Sequence, residues 1–245
     1  MTRAGRQDVT ADEGRVGLRG PVVILQHEAE SFPATVARVL EAERVAYTIR
    51  RVYGDDEVPA PGELVSIAGL VPLGGGMNSD DDERHAWLAA ERRLLREAVA
   101  RDTPVLGICL GAQQLAAATG GRVYHRRSTE RGWLPVEVTG EDALFTGLPR
   151  RFWTLQWHGD SFEAPRGAKV FAELDGGQQA FRIGRRAWGV QFHPEVDDDL
   201  VEHWLADAER ADPAFGRDLR ERRGAIVAGS LPLCATIVRN FVGSL

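Results

Sequence analysis

From residue 21 onward, short apolar runs alternate with amphipathic stretches. Val22-Val23-Ile24-Leu25 is continuously apolar, the pattern of a parallel strand covered on both faces, and predicts a strand over 21–26. Val36, Val39 and Leu40 share one face of a helix predicted over 33–43. Further strands are predicted over 46–52 and 70–73, with a short helical turn over 64–67. The last of these strands runs into Gly74-Gly75-Gly76-Met77-Asn78. Ser79 and Asp80 to Asp82 offer caps and an acidic first turn for a helix reaching Arg101, with Leu88, Leu94, Leu95 and Ala98 at helical spacing. Pro104 restarts the chain as a strand over 104–108, followed by a helix over 110–119 that Gly120-Gly121 closes. Such alternation predicts an α/β fold, a mostly parallel sheet flanked by helices, with ligands beyond the carboxyl ends of the strands.

After Gly121 the pattern changes. Short β-like stretches at 122–124, 134–138, 152–155, 170–174 and 179–183 predict a small mixed or antiparallel extension. An apolar strand over 187–192 ends in His193-Pro194-Glu195, and Asp197 to Asp199 then cap a helix carrying Leu200, Val201, Trp204, Leu205 and Ala208. One long or two short helices are expected beyond. The chain thus divides into a polar, glycine-rich tail at 1–20, read as mobile, one domain at 21–210, and a helical tail at 211–245.

Composition narrows the classes. With 245 residues and a net charge of -6, the chain is long enough for a real core and too acidic for nucleic acid or an anionic membrane to be its main partner. It has no apolar run of membrane-spanning length and no secretory signal. Two cysteines far apart in sequence, Cys109 and Cys234, make no disulfide framework; they suit a reducing cytoplasm, where a catalytic thiol stays reduced.

Gly107-Ile108-Cys109-Leu110-Gly111 has the spacing of a nucleophile elbow, with cysteine where many hydrolases carry serine. A residue on so sharp a strand-to-helix turn adopts strained dihedrals, and side chains at the flanking glycines would collide with strand or helix. The sulfur then stands beside a helix N-terminus, which favours thiolate, and the Leu110 N–H is free to meet an oxyanion. Taken alone, this spacing also suits a small core cysteine between chance glycines.

A cysteine nucleophile needs a proton shuttle, and the shuttle needs an orienting group. His193 follows a buried strand and so reaches the same sheet edge as Cys109, and Glu195 is placed to hold its ring. An exposed strand-end turn is the competing reading. No cluster supplies a third ligand at zinc spacing, so neither metal nor cofactor is expected. His27 and His158 are read as either site or loop residues; His85, His125 and His203 as surface; Trp87, Trp204 and Cys234 as core; and Arg126-Arg127 as a solvated face.

Gly107 to Gln113, together with Val190-Gln191-Phe192-His193-Pro194-Glu195, resembles the class I, triad-type glutamine amidotransferases, with stand-alone members similar to the glutaminase domain of GMP synthetase as the best likeness. Gly74-Gly75-Gly76-Met77, Gly132-Trp133 and Trp157-His158-Gly159-Asp160 resemble three further stretches in the right order. The likeness covers about residues 21–208 and implies a flavodoxin-like fold. It implies Cys109, His193 and Glu195 as a catalytic triad, and the N–H groups of Gly75 and Leu110 as an oxyanion hole. Gly74, Gly76, Gln113, His158, Gly159 and Asp160 are implied as the substrate-binding set. It further implies ammonia passed to a separate acceptor enzyme. Two departures touch the substrate contacts: the glycine loop lacks the proline many relatives carry, and Arg131 stands where an aliphatic residue is common. No synthase domain and no phosphate-binding P-loop accompany these motifs. A γ-glutamyl peptidase or hydrolase working without a partner is therefore the second reading. A catalytically silent scaffold is the third, and the intact triad argues against it.

Overall fold

The computed structural model describes residues 8–9, 18–125 and 130–245. Most of the expected tail at 1–20, and the Arg126-Arg127 pair, lie outside the described residues. The strands are β1 (Asp8–Val9), β2 (Val22–Gln26), β3 (Tyr47–Arg51), β4 (Gly69–Pro72), β5 (Val105–Ile108) and β6 (Arg122–Tyr124), then β7 (Glu130–Val138), β8 (Arg151–His158), β9 (Ser161–Glu163), β10 (Lys169–Leu174), β11 (Gly177–Ile183) and β12 (Ala187–Val190). The helices are α1 (Ala34–Ala42), α2 (Trp87–Ala100), α3 (Leu110–Ala118), α4 (Asp198–Ala211) and α5 (Pro213–Val242).

Ten strands form one sheet in the order β1-β3-β2-β4-β5-β12-β11-β10-β7-β8. The run β3-β2-β4-β5-β12 is parallel. From β12 outward the sheet continues as an antiparallel arm through β11, β10, β7 and β8. The expected extension is therefore continuous with the parallel half, while β6 and β9 pair separately. Alternation along β2 shows why the apolar runs were legible. Val22 and Ile24 pack under α1 and the end of α5, and Val23 and Leu25 pack under α2 and α3. The parallel half is thus covered on both faces.

One expectation is corrected. The acidic residues 80–82 do not open α2, which begins at Trp87. Their side chains are used otherwise: Asp81 and Asp82 hold Arg84 and Arg92, and Asp80 accepts from His125. The C-terminal helices pack on the domain. Ile237, Val238, Phe241 and Val242 join the core under α1, and Leu219, Val227 and Cys234 join that under α4. The two arms of α5, Pro213–Gly224 and Ile226–Val242, meet at 76°. Among the described residues no single helix is long and apolar enough to cross a membrane.

The register of β5 and β12 fixes the position of the site. Ile108 and Val190 are partners at the carboxyl ends of these neighbouring strands. Cys109 follows one end directly, its N–H bonded to the Val190 carbonyl at 2.8 Å, and His193 lies three residues beyond the other.

Candidate active site

Cys109 has φ 53° and ψ -106°, a left-handed conformation that a non-glycine residue adopts only under constraint. The constraint is visible at its flanks. A Cβ on Gly107 would lie 2.6 Å from the Gly111 carbonyl oxygen, and one on Gly111 would lie 2.1 Å from that of Pro72. Strand β5 and helix α3 meet so closely, against β4, that only glycine fits on either side of the cysteine. Leu110 is the first residue of α3, so its N–H has no acceptor within the helix.

His193 and Glu195 are both buried, and Nδ1 lies 2.7 Å from Glu195 Oε1. The imidazole is raised from 6.5 to about 10. Burial is the largest influence and opposes the charge; the carboxylate of Glu195, then Cys109, more than offset it. The other nitrogen, Nε2, is buried without a hydrogen-bond partner, although Cys109 is close enough to act on the ring. A buried nitrogen left free in this way is costly unless something else uses it. The Trp204 indole meets the ring edge-on at 4.8 Å and is itself fixed by a bond to the Glu30 carbonyl. A Cβ on Gly74 would stand 3.1 Å from His193 Cε1 and 3.6 Å from Cys109 Cβ, so ring and cysteine flank one small space.

That space opens into a cavity of about 350 Å³. Cys109, His193, Gly75 and Gly76 line it on one side, Trp157 and Trp204 on another, and Glu28, Glu30 and Asp207 add negative charge. A larger hollow, about 990 Å³, lies over Thr139, Asp142, Lys169 and Arg182. No cysteine or histidine lines it, and three of its cations are engaged, Arg182 with Asp142, Arg185 with Asp102 and Lys169 with the Glu141 carbonyl. Chemistry therefore assigns the smaller cavity as the candidate site.

Of the remaining expected residues Gly76 lines the cavity, whereas Gly74, Gln113, His158, Gly159 and Asp160 are outside its lining. Gly74 and Gly75 stand against His193 and Leu110, and the Gly76 N–H bonds to Glu28. Gln113 Nε2 reaches the Asp160 carbonyl at 3.3 Å and Gln191 Oε1 at 3.4 Å, tying the start of α3 to the Asp160 loop. Gly159 has open space where a Cβ would be. His158 is turned into the sheet rather than onto the cavity wall. Nδ1 bonds to the Asp160 carbonyl, and Nε2 lies 3.0 Å from Gln156 Oε1 and 3.1 Å from Glu130. Both its nitrogens are satisfied by protein, which makes it a support for the Asp160 turn.

A family model described as glutamine amidotransferase class-I matches residues 26–207. The chain belongs to that family. It is 44% identical over 179 residues to a glutamine-hydrolyzing GMP synthase of Porphyromonas gingivalis, a match covering 71% of this chain and 33% of that protein. A synthase of the same name from Aeropyrum pernix is 38% identical over 154 residues, 60% of this chain and 29% of the relative. The chain thus spans about a third of the length of these relatives. Among solved structures, a glutamine amidotransferase from Thermotoga maritima superposes with a TM-score of 0.81 at 26% identity, covering 91% of this chain and 98% of that one.

Three residues around the amidotransferase site were not singled out for it in the sequence. Gln191 Nε2 points at the Cys109 sulfur from 3.7 Å; it sits inside the strand-end motif, where the sequence pattern alone reads as strand. His125, read as surface, bonds to Asp160 at 2.7 Å and to Asp80, and the bond to Asp160 is the main cause of its raised pKa. Glu91 pairs with His27 across 64 residues, and no local pattern could have announced the pairing.

Proposed function

We propose that this amidotransferase hydrolyses the γ-amide of glutamine through a γ-glutamyl thioester on Cys109 and supplies the ammonia to a separate acceptor enzyme. The thiolate attacks the γ-carbonyl carbon, and the oxygen takes up the electron pair between the N–H groups of Gly75 and Leu110. The tetrahedral centre collapses as His193 gives its proton to the departing nitrogen, which leaves as ammonia. His193 then takes a proton from water; the resulting hydroxide attacks the thioester, releasing glutamate and restoring the thiolate. Glu195 holds the imidazole by Nδ1–H throughout. Gly74, Gly76, Gln113, Gly159 and Asp160 anchor the substrate, the last two at its α-amino and α-carboxylate ends.

One observation carries this reading: a strained cysteine and the unpartnered nitrogen of a glutamate-held imidazole border the same cavity. The related synthases are named for glutamine hydrolysis, which supports the reading, and the match to them covers about a third of their length. The test is glutamate release from glutamine by the wild type and its absence in Cys109→Ala, with the thioester trapped by acid quench and located by mass. Wild type that releases no glutamate, alone or with candidate acceptor enzymes, removes the proposal.

A second reading is hydrolysis of γ-glutamyl conjugates without a partner. Trp157 and Trp204, which line the cavity with His193, favour it, since an organic leaving amine could pack against them and ammonia has no use for them. Turnover of γ-glutamyl conjugates well above that of glutamine decides for it.

A further inference from the structure

His27 and Glu91 form a second buried histidine–glutamate pair, next to the glycine loop and unused by the mechanism above. Both side chains are completely buried. His27 Nε2 lies 2.8 Å from Glu91 Oε2, and Nδ1 lies 3.3 Å from the Gly74 carbonyl oxygen. Trp87, the first residue of α2, stacks flat on the ring at 4.9 Å, and Glu91 is one helical turn further on. Both nitrogens face oxygen atoms, an arrangement the imidazolium satisfies fully, Nδ1–H donating to the Gly74 carbonyl and Nε2–H to Glu91. Burial alone would strip the ring of charge, yet Glu91 and the carbonyls of Gly74 and Leu73 hold its pKa above 6.5. The next residue, Glu28, accepts the Gly76 N–H at 3.0 Å and is itself held by the Ser31 hydroxyl.

Three glycines in a row resist peptide rotation less than any other tripeptide. In a trans peptide the carbonyl and the following N–H point in opposite directions, so fixing one fixes the other. We infer that His27, backed by Glu91 and Trp87, is a positioning residue for the oxyanion hole: by gripping the Gly74 carbonyl it turns the Gly75 N–H toward the carbonyl oxygen attacked at Cys109. The inference rests on the reading of Gly75 and Leu110 as oxyanion donors. It adds a purpose for a pair that lines neither the nucleophile nor the shuttle.

The test separates acyl chemistry from mere integrity. His27→Phe combined with Glu91→Leu keeps the stack on Trp87 and leaves no buried charge unpaired. Two rates are compared: glutamine hydrolysis, which forms an oxyanion, and alkylation of Cys109 by iodoacetamide, which forms none. Hydrolysis is expected to fall about 10- to 100-fold in kcat with KM held within about threefold, because the lost interaction is one of the transition state. Alkylation is expected within about twofold of wild type. If the double variant does not fold, Glu91→Gln is expected to give the same selective loss, about threefold to tenfold, as a neutral donor replaces a charged one. Unchanged kcat, or alkylation falling in step with hydrolysis, overturns the inference while Cys109-dependent hydrolysis by the wild type leaves the parent reading standing. Wild type inert toward glutamine and γ-glutamyl amides alike defeats the parent reading and this one with it.

Discussion

Replacing Glu195 by glutamine keeps the side chain's shape and removes its charge. The amide oxygen can still accept from His193 Nδ1–H, so the ring stays in place. What changes is the balance on the imidazole. Burial, the strongest influence, pulls its pKa down; the Glu195 carboxylate is the strongest force against it, followed by Cys109. The net rise from 6.5 to about 10 corresponds to roughly 5 kcal/mol in favour of the imidazolium, at the order-of-magnitude level. With the charge gone, Cys109 and the retained hydrogen bond at residue 195 are left to oppose burial, and His193 gives up its proton at a lower pH. The expected kinetic cost is about 10²- to 10⁴-fold in kcat, the range for losing a shuttle's proton and its orienting charge. Stability gives an independent reading. A histidine whose folded pKa exceeds its unfolded value stabilises the fold fully below the unfolded value, and loses that contribution as pH rises through the folded one. The gap in urea-unfolding free energy between wild type and Glu195→Gln is therefore expected to be widest near pH 6 and to narrow steadily toward pH 10, by several kcal/mol. A gap that is flat with pH, or that widens toward alkaline pH, would refute the account of what holds the proton on His193.

Other outcomes follow from the same geometry. Gly111→Ala puts a methyl 2.1 Å from the Pro72 carbonyl oxygen and should cost about 3 kcal/mol or more in unfolding free energy, whereas Gly159→Ala, with open space around it, should stay within about 0.5 kcal/mol. Asp197 caps α4 by accepting the Leu200 N–H at 2.9 Å from a buried position, so Asp197→Ala should lower the melting temperature by the equivalent of about 1–2 kcal/mol. Cys234 is buried, and burial, reinforced by the charge of Glu195, pushes its thiol up to about 12. Thiol titration of the native protein at neutral pH should thus count one fast cysteine, with the second reacting only in denaturant; two fast thiols would show that α5 does not seal this core.

The inner strands of the parallel half, β2, β4, β5 and β12, were legible because they are buried on both faces, and such strands read as unbroken apolar runs, as at Val22 to Leu25 and Ala187 to Val190. Strand β9 was missed: three residues around Phe162 that pair only with Arg122 to Tyr124 leave no periodicity to detect. The start of α2 was misplaced because three consecutive aspartates suit a first turn, while their actual partners, Arg84, Arg92 and His125, lie at other distances along the chain. In the site, the residues at strand ends could be named from one stretch each, since a strand's end fixes where its next side chains stand. His27 could be placed beside the site but not given a task, because Glu91 supplies half of its environment from a helix that looks merely amphipathic. His158 shows the converse: its motif was plain, yet the contacts of Gln156 and Glu130 turn it inward.

The last residue lies at the opposite pole of the molecule from the sulfur. A methyl on Gly69, at the amino end of β4, would stand 2.8 Å from the Leu245 side chain, and Arg186 grips the Ser244 carbonyl at 3.0 Å, whereas Cys109 crowns the carboxyl end of β5. An affinity handle or surface tether attached after Leu245 therefore projects from the floor of the sheet. The rim stays clear, and a chain immobilised in that way keeps the cavity over Cys109 on the side away from its support.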